Sequence, residues 1–161
     1  MTTTDNTVIN RQITVNTSAE QAFSVFTEKF GDFKPKEHNL MGSPITETRF
    51  DPHVGGHIYD VAEDGSECRW ARVLAFEPPT RVVFSWDISP YWQLEADEAK
   101  TSEVEVNFIA EAPDRTRIEL EHRHLDRHGD GWEGVRDGIA EEGGWPTYLA
   151  RYADVITSSS H

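Results

Sequence analysis

The sequence predicts an α+β domain in which a curved antiparallel sheet of about six to seven strands wraps one C-terminal helix. Three observations carry this expectation. Residues 45–124 fall into successive segments that alternate apolar and polar side chains with a period of two. A capped, strongly aromatic helix precedes them. A continuous apolar stripe with helical spacing follows them at 145–156.

The first strand is expected over Val8–Val15, where Ile13 and Val15 alternate with polar neighbours. Ser18-Ala19-Glu20-Gln21 fits a capping box, so a helix should begin after Ser18. Ala22, Phe23, Phe26 and Phe30 follow at helical spacing. Gly31 is expected to end this helix in a left-handed turn. Gly31, Pro35, Gly42 and Pro44 make the next stretch a loop.

Strands are then expected at 45–50, 55–62, 67–77, 80–88, 102–111 and 115–124. Asp64-Gly65 marks a hairpin turn, Pro78-Pro79 a stiff corner and Pro113-Asp114 another tight turn. Connections this short make neighbouring strands antiparallel. The last two strands set Val104, Val106 and Phe108, and Ile118, Leu120, His122 and His124, against charged partners on the other face. That pattern suits a sheet covered on one side only. A short helix is expected over Val135–Glu142, broken by Gly143-Gly144. Pro146 then sits in the first turn of the last helix, where its missing N–H costs nothing. Its stripe is Trp145, Tyr148, Leu149, Tyr152, Val155 and Ile156. One domain over 8–156 is expected, with flexible ends at 1–7 and 157–161.

The chain carries a net charge of −14 over 161 residues. Such a field repels phosphate backbones and anionic lipid heads, so neither nucleic acid nor a membrane is expected as partner. There is no leader-like start and no long apolar run, and the one cysteine, Cys68, forms no internal disulfide. A cytoplasmic setting is expected.

At this point a family resemblance is legible. It is carried by Gly55-Gly56, Asp64-Gly65, an Arg72-Val73 strand running into Glu77-Pro78-Pro79, and Arg81-Val82-Val83-Phe84-Ser85-Trp86. Glu103-Val104-Glu105-Val106, Arg115-Thr116-Arg117, Glu119-Leu120-Glu121-His122 and Gly143-Gly144-Trp145 with Leu149 complete the series. In this order the chain resembles the homologues of the heat-shock-protein-90 ATPase activator (AHSA-type), within the START-like (SRPBCC, Bet v-like) superfamily. The resemblance implies a helix-grip fold with a cavity between sheet and last helix, holding a small hydrophobic or amphipathic molecule.

The residues expected to line that cavity are Tyr59, Trp70, Arg72, Phe84, Trp86, Trp92, Phe108, His122, His124, Trp145, Leu149 and Tyr152. Large indole and phenyl faces suit an apolar guest, and a neutral imidazole can orient it. Two inward faces fit the strand at 67–77: Trp70/Arg72/Leu74 or Ala71/Val73/Ala75. Arg72 facing inward would seek a carboxylate, and facing outward it is ordinary surface. A metal would need His53, His57 or His128 to join the His122/His124 pair, and no zinc-type spacing is present. No metal and no cofactor are expected, and no residue is assigned a catalytic role. Binding of a small hydrophobic molecule, by a monomer or homodimer, is the first expectation. The alternatives are a cyclase, dehydratase or hydrolase acting in the cavity, and a co-chaperone-like interaction domain tied to stress response.

Overall fold

The computed structural model describes residues 8–33, 44–89, 94–95, 97–140 and 144–159. Within them seven strands form one sheet: β1 (Ile9–Val15), β2 (Ile45–Phe50), β3 (His57–Ala62), β4 (Glu67–Glu77), β5 (Arg81–Trp86), β6 (Ser102–Ala112) and β7 (Arg115–Arg123). Their order is β1-β7-β6-β5-β4-β3-β2, with every neighbouring pair antiparallel. The helices are α1 (Ala19–Glu28), α2 (Phe30–Phe33), α3 (Trp132–Ala140) and α4 (Trp145–Ser159). The strand boundaries follow the alternation within two residues.

Ser18 caps α1 as its sequence requires, its hydroxyl accepting from the Gln21 N–H at 3.1 Å. The exit of α1 differs from the expectation. The helix stops at Glu28 and Gly31 lies inside α2, without a positive φ. Gly31 is there for proximity: a Cβ on it would stand 2.8 Å from the Thr48 carbonyl of β2. Gly144 has the same reason at the α3–α4 junction, where a Cβ would lie 2.2 Å from the Ile139 carbonyl.

The inner face of the sheet is set by register. Val104 faces His122, Val106 faces Leu120 and Phe108 faces Ile118 across β6–β7. Phe84 faces Val104 and Trp86 faces Ser102 across β5–β6. Onto this face pack Phe23 and Phe26 of α1 and the stripe of α4, Trp145, Tyr148, Leu149, Tyr152 and Ile156. The shifts in pairing between β2–β3, β3–β4, β4–β5 and β6–β7 are bulges, which bend a sheet and let it curl.

The outer face of β5–β7 is a ladder of ion pairs. Arg123 bonds Glu103 at 3.1 Å and also reaches Glu105, and Arg81 bonds Glu105 at 2.9 Å. Desolvation pushes the Glu105 carboxyl up, yet hydrogen bonds from Arg81, Arg123 and Asn107 outweigh it and hold the group at about 2. Its folded pKa is therefore below the unfolded value. The stabilisation is present above the ordinary carboxylate range and is lost as pH falls through about 2. Glu105→Gln should cost about 1–2 kcal/mol at neutral pH in urea unfolding. The deficit should shrink on acidification, and a deficit that does not change with pH would contradict this account.

Candidate functional site

Between sheet and α4 pack two continuous groups of rings. At one end Phe26 stands in the middle, with ring centroids 5.7 Å from Phe30, 5.5 Å from Phe33, 5.7 Å from Phe108 and 5.5 Å from Tyr152. The Tyr152 hydroxyl donates to the Ala22 carbonyl at 2.6 Å, and burial pushes the phenol up. At the other end Trp86 lies 5.4 Å from Trp70, 5.4 Å from His122 and 5.6 Å from Trp145. Phe30 joins the two groups through Trp70 at 5.9 Å and Tyr148 at 6.4 Å.

At the tryptophan end four polar side chains form a buried chain. The Trp145 indole N–H donates to His122 Nδ1 at 3.1 Å. His122 Nε2 and Ser102 Oγ are 2.7 Å apart, and Ser102 Oγ and His128 Nε2 are 2.8 Å apart. All four side chains are buried, Ser102 and His122 completely. Desolvation drives both imidazoles below their usual range, and His128 disfavours charge on His122 further. Nearby Glu95 and Asp87 pull His128 partly back. The site thus holds two neutral imidazoles joined by one hydroxyl.

The sequence-predicted residues separate into groups. Trp70, Phe84, Trp86, Phe108, His122, Trp145, Leu149 and Tyr152 all lie buried between sheet and helices. Trp70 is there because β4 bulges: Ile58 pairs with Ala71 and Tyr59 with Arg69, so Trp70 is the extra residue. Trp70 and Ala71 are consequently both inward, and neither simple alternation holds along the strand.

Tyr59 is on the opposite face. It follows inward Ile58, is half-buried, and carries the Arg69 guanidinium 5.8 Å above its ring. Arg72 also points away from the rings. Its guanidinium forks onto Asp87, Nε to Oδ2 at 3.1 Å and Nη2 to Oδ1 at 3.2 Å, and reaches Thr101 Oγ1 at 2.9 Å. Asp87 follows β5 and Thr101 precedes β6, so Arg72 ties both roots of the intervening segment. His124 does not share the inner face of His122. β7 ends at Arg123, and His124 takes a left-handed conformation, φ 62°, as the chain turns into a 3-10 turn at Leu125–His128. Trp92 lies outside the described residues.

Sequence reasoning missed Ser102 as a site residue and considered His128 only for a metal. Ser102 had a signal: it extends the inward series Val104, Val106, Phe108 back by two. His128 had none, because the turn that aims it at Ser102 is set by the backbone at His124. Among the described residues, no three His, Cys, Asp or Glu side chains gather as a metal-binding group.

The model of the Activator of Hsp90 ATPase homolog 1-like protein family matches residues 16–156. The chain belongs to that family. Among solved structures, this AHSA1-like chain is similar to the anthrahydroquino-γ-pyrone synthase Txn09 complexed with SUM. The two are 36% identical with a TM-score of 0.66, covering 92% of this chain and 96% of the other. It is also similar to CalC, a self-sacrificing resistance protein from Micromonospora echinospora. Here identity is 25%, the TM-score is 0.67, and 97% of each chain is covered. A norcoclaurine synthase point mutant from Thalictrum shares the fold at 10% identity and a TM-score of 0.56, over 96% of each chain. No curated protein sequence matches the chain. The AHSA1-like chain has the helix-grip architecture expected of a START-like domain, a curved seven-stranded sheet with a C-terminal helix across it.

Proposed function

We propose that this START-like domain binds a flat, polycyclic aromatic small molecule of the anthraquinone kind against the tryptophan end of its ring-lined interior. The observation that carries this is the wall formed by Trp70, Trp86 and Trp145 beside a buried polar chain. Indole faces supply stacking area, and the imidazoles supply the few oriented polar groups that such sites use. The 36% identity to a synthase named for an anthrahydroquinone product supports the same ligand class. The net charge of −14 argues against nucleic acid and anionic membrane as partners. No helix among the described residues is long and apolar enough to cross a membrane. A cytoplasmic setting fits a single half-buried cysteine, Cys68, that forms no disulfide.

Titration of the protein with a hydroxyanthraquinone should quench its tryptophan fluorescence saturably, because the wall tryptophans would touch the ligand. Native mass spectrometry should show one ligand per chain. Linear, unsaturable quenching with no mass shift would sink the binding reading.

A second reading, that the protein also closes a ring on this molecule, is favoured by the two neutral buried imidazoles. A hydrogen-bond donor held away from water stabilises an oxyanion as it develops. A γ-pyrone ring forms when a phenolic oxygen adds to a conjugated alkynyl ketone, with one proton passing from oxygen to carbon and no atom lost. Conversion of such a precursor to an isomer of unchanged mass, faster than in buffer, would support catalysis. An unchanged rate would leave binding alone.

A further inference from the structure

We infer that His128 offers its Nδ1–H as the hydrogen-bond donor for a carbonyl or phenolate oxygen of the bound molecule. The inference rests on the binding reading above and adds to it which atom of the protein recognises which atom of the guest.

The direction of every hydrogen bond in the buried chain follows from its first member. An indole nitrogen can only donate. Trp145 Nε1–H points at His122 Nδ1 at 3.1 Å, so that nitrogen carries no proton. The neutral His122 ring must then hold its proton on Nε2, which donates to Ser102 Oγ at 2.7 Å. Among the described residues Ser102 Oγ has only the two imidazoles as partners, and since His122 Nε2 is a donor, the hydroxyl hydrogen goes to His128 Nε2 at 2.8 Å. His128 Nε2 is therefore an acceptor, and its proton sits on Nδ1. Reversing the chain would bring two N–H groups together at Trp145. The polarity is fixed by a tryptophan on α4 and read out on the far side of Ser102.

His128 Nδ1 is buried and has no hydrogen-bond partner among the described residues, and the His128 side chain is 4% exposed. A donor in that position is costly to leave unmade. The nearby carboxylates are engaged elsewhere. Glu95 accepts from the Asp97 N–H at 3.2 Å, and Asp87 is forked by Arg72. Nδ1 thus waits for an acceptor from outside the chain, and a quinone or pyrone oxygen is the matching group.

Two measurements on the full chain test this. Nitrogen-15 NMR of the histidine rings should show His122 as the Nε2–H tautomer and His128 as the Nδ1–H tautomer. Fluorescence titrations should then compare anthraquinone with anthracene, which has the same three-ring outline and no oxygen. The wild-type protein should prefer anthraquinone about tenfold, the worth of one buried donor satisfied. His128→Phe should bind both equally. His128→Asn, which keeps an N–H near the Nδ1 position, should recover part of the preference and covers the case in which the phenylalanine variant does not fold. An Nε2–H tautomer at His128, or a preference that survives in both variants, would overturn the inference. Equal binding of the two compounds by the wild type would overturn it while leaving the binding reading intact. Binding of neither would remove both.

Discussion

Phe26→Ala is expected to destabilise the fold by about 3–5 kcal/mol, measured as the shift in urea unfolding free energy. Phe26 is 1% exposed and touches rings from α2, β5, β6 and α4 at once. Removing its phenyl group takes away a buried apolar area and leaves a hole that five aromatic side chains border. Rings collapse poorly into such a space, since each is already held by others: Phe30 against Phe33 at 4.9 Å, Phe33 against Tyr152 at 5.3 Å. Phe26→Leu should recover roughly half of the loss, because it refills part of the volume. A loss below about 1 kcal/mol for the alanine variant would mean that the space between α1 and α4 closes freely, and that these rings do not fix the helices on the sheet.

Acidification is expected to weaken the protein well above the range where its carboxylates titrate. Burial lowers the pKa of both His122 and His128 in the folded state. The unfolded chain regains ordinary imidazoles near 6.5. Below that value the unfolded state binds more protons than the folded one, so stability is full above about 6.5 and declines as pH falls. Each ring contributes at most about 1.4 kcal/mol per pH unit, so the two together take up to about 2–3 kcal/mol over the first unit. Glu95 and Asp87 face His128 and moderate its share, whereas His122 is held by Ser102, Trp86 and Trp145 and feels the charge of His128. Urea unfolding at pH of about 7.5 and 5.5 measures the slope. His122→Gln should be less stable at neutral pH and should show a shallower slope. An equal slope in the variant would assign the acid sensitivity to other groups.

Most of the sheet was legible because β6 and β7 face solvent on one side and rings on the other, which writes a period of two into Val104–Phe108 and Thr116–His122. Local turn chemistry at Asp64-Gly65 and Pro113-Asp114 set the hairpins. Three things were not legible. The β4 bulge admits Trp70 and Ala71 to the same side, and a bulge leaves no mark in alternation until the partner strand is known. Arg72 could not be placed without that bulge, nor without Asp87, fifteen residues away. His124 continued the alternation on paper, but the strand ends one residue earlier in a left-handed turn. That same turn swings His128 onto Ser102, which is why the far end of the polar chain was invisible from local spacing. Gly31 shows a related limit: a glycine needed for room against β2 looks, in sequence, like one needed for a turn.

The strand order has a consequence for how the molecule is made. Ile9 pairs with His122, Thr116 Oγ1 donates to the Thr17 carbonyl at 2.9 Å, and Tyr152 reaches back to Ala22. The opening strand therefore has no sheet partner until more than a hundred further residues have left the ribosome. Its neighbour α1 packs on α2 and on β4–β6, and is covered in full only when α4 emerges. Sequence-distant contacts of this sort slow folding, since the chain must close a long loop before any reward arrives. The aromatic face of α1 thus stays partly open until residues near 150 have been made, and the docking of β1 and α4 comes late.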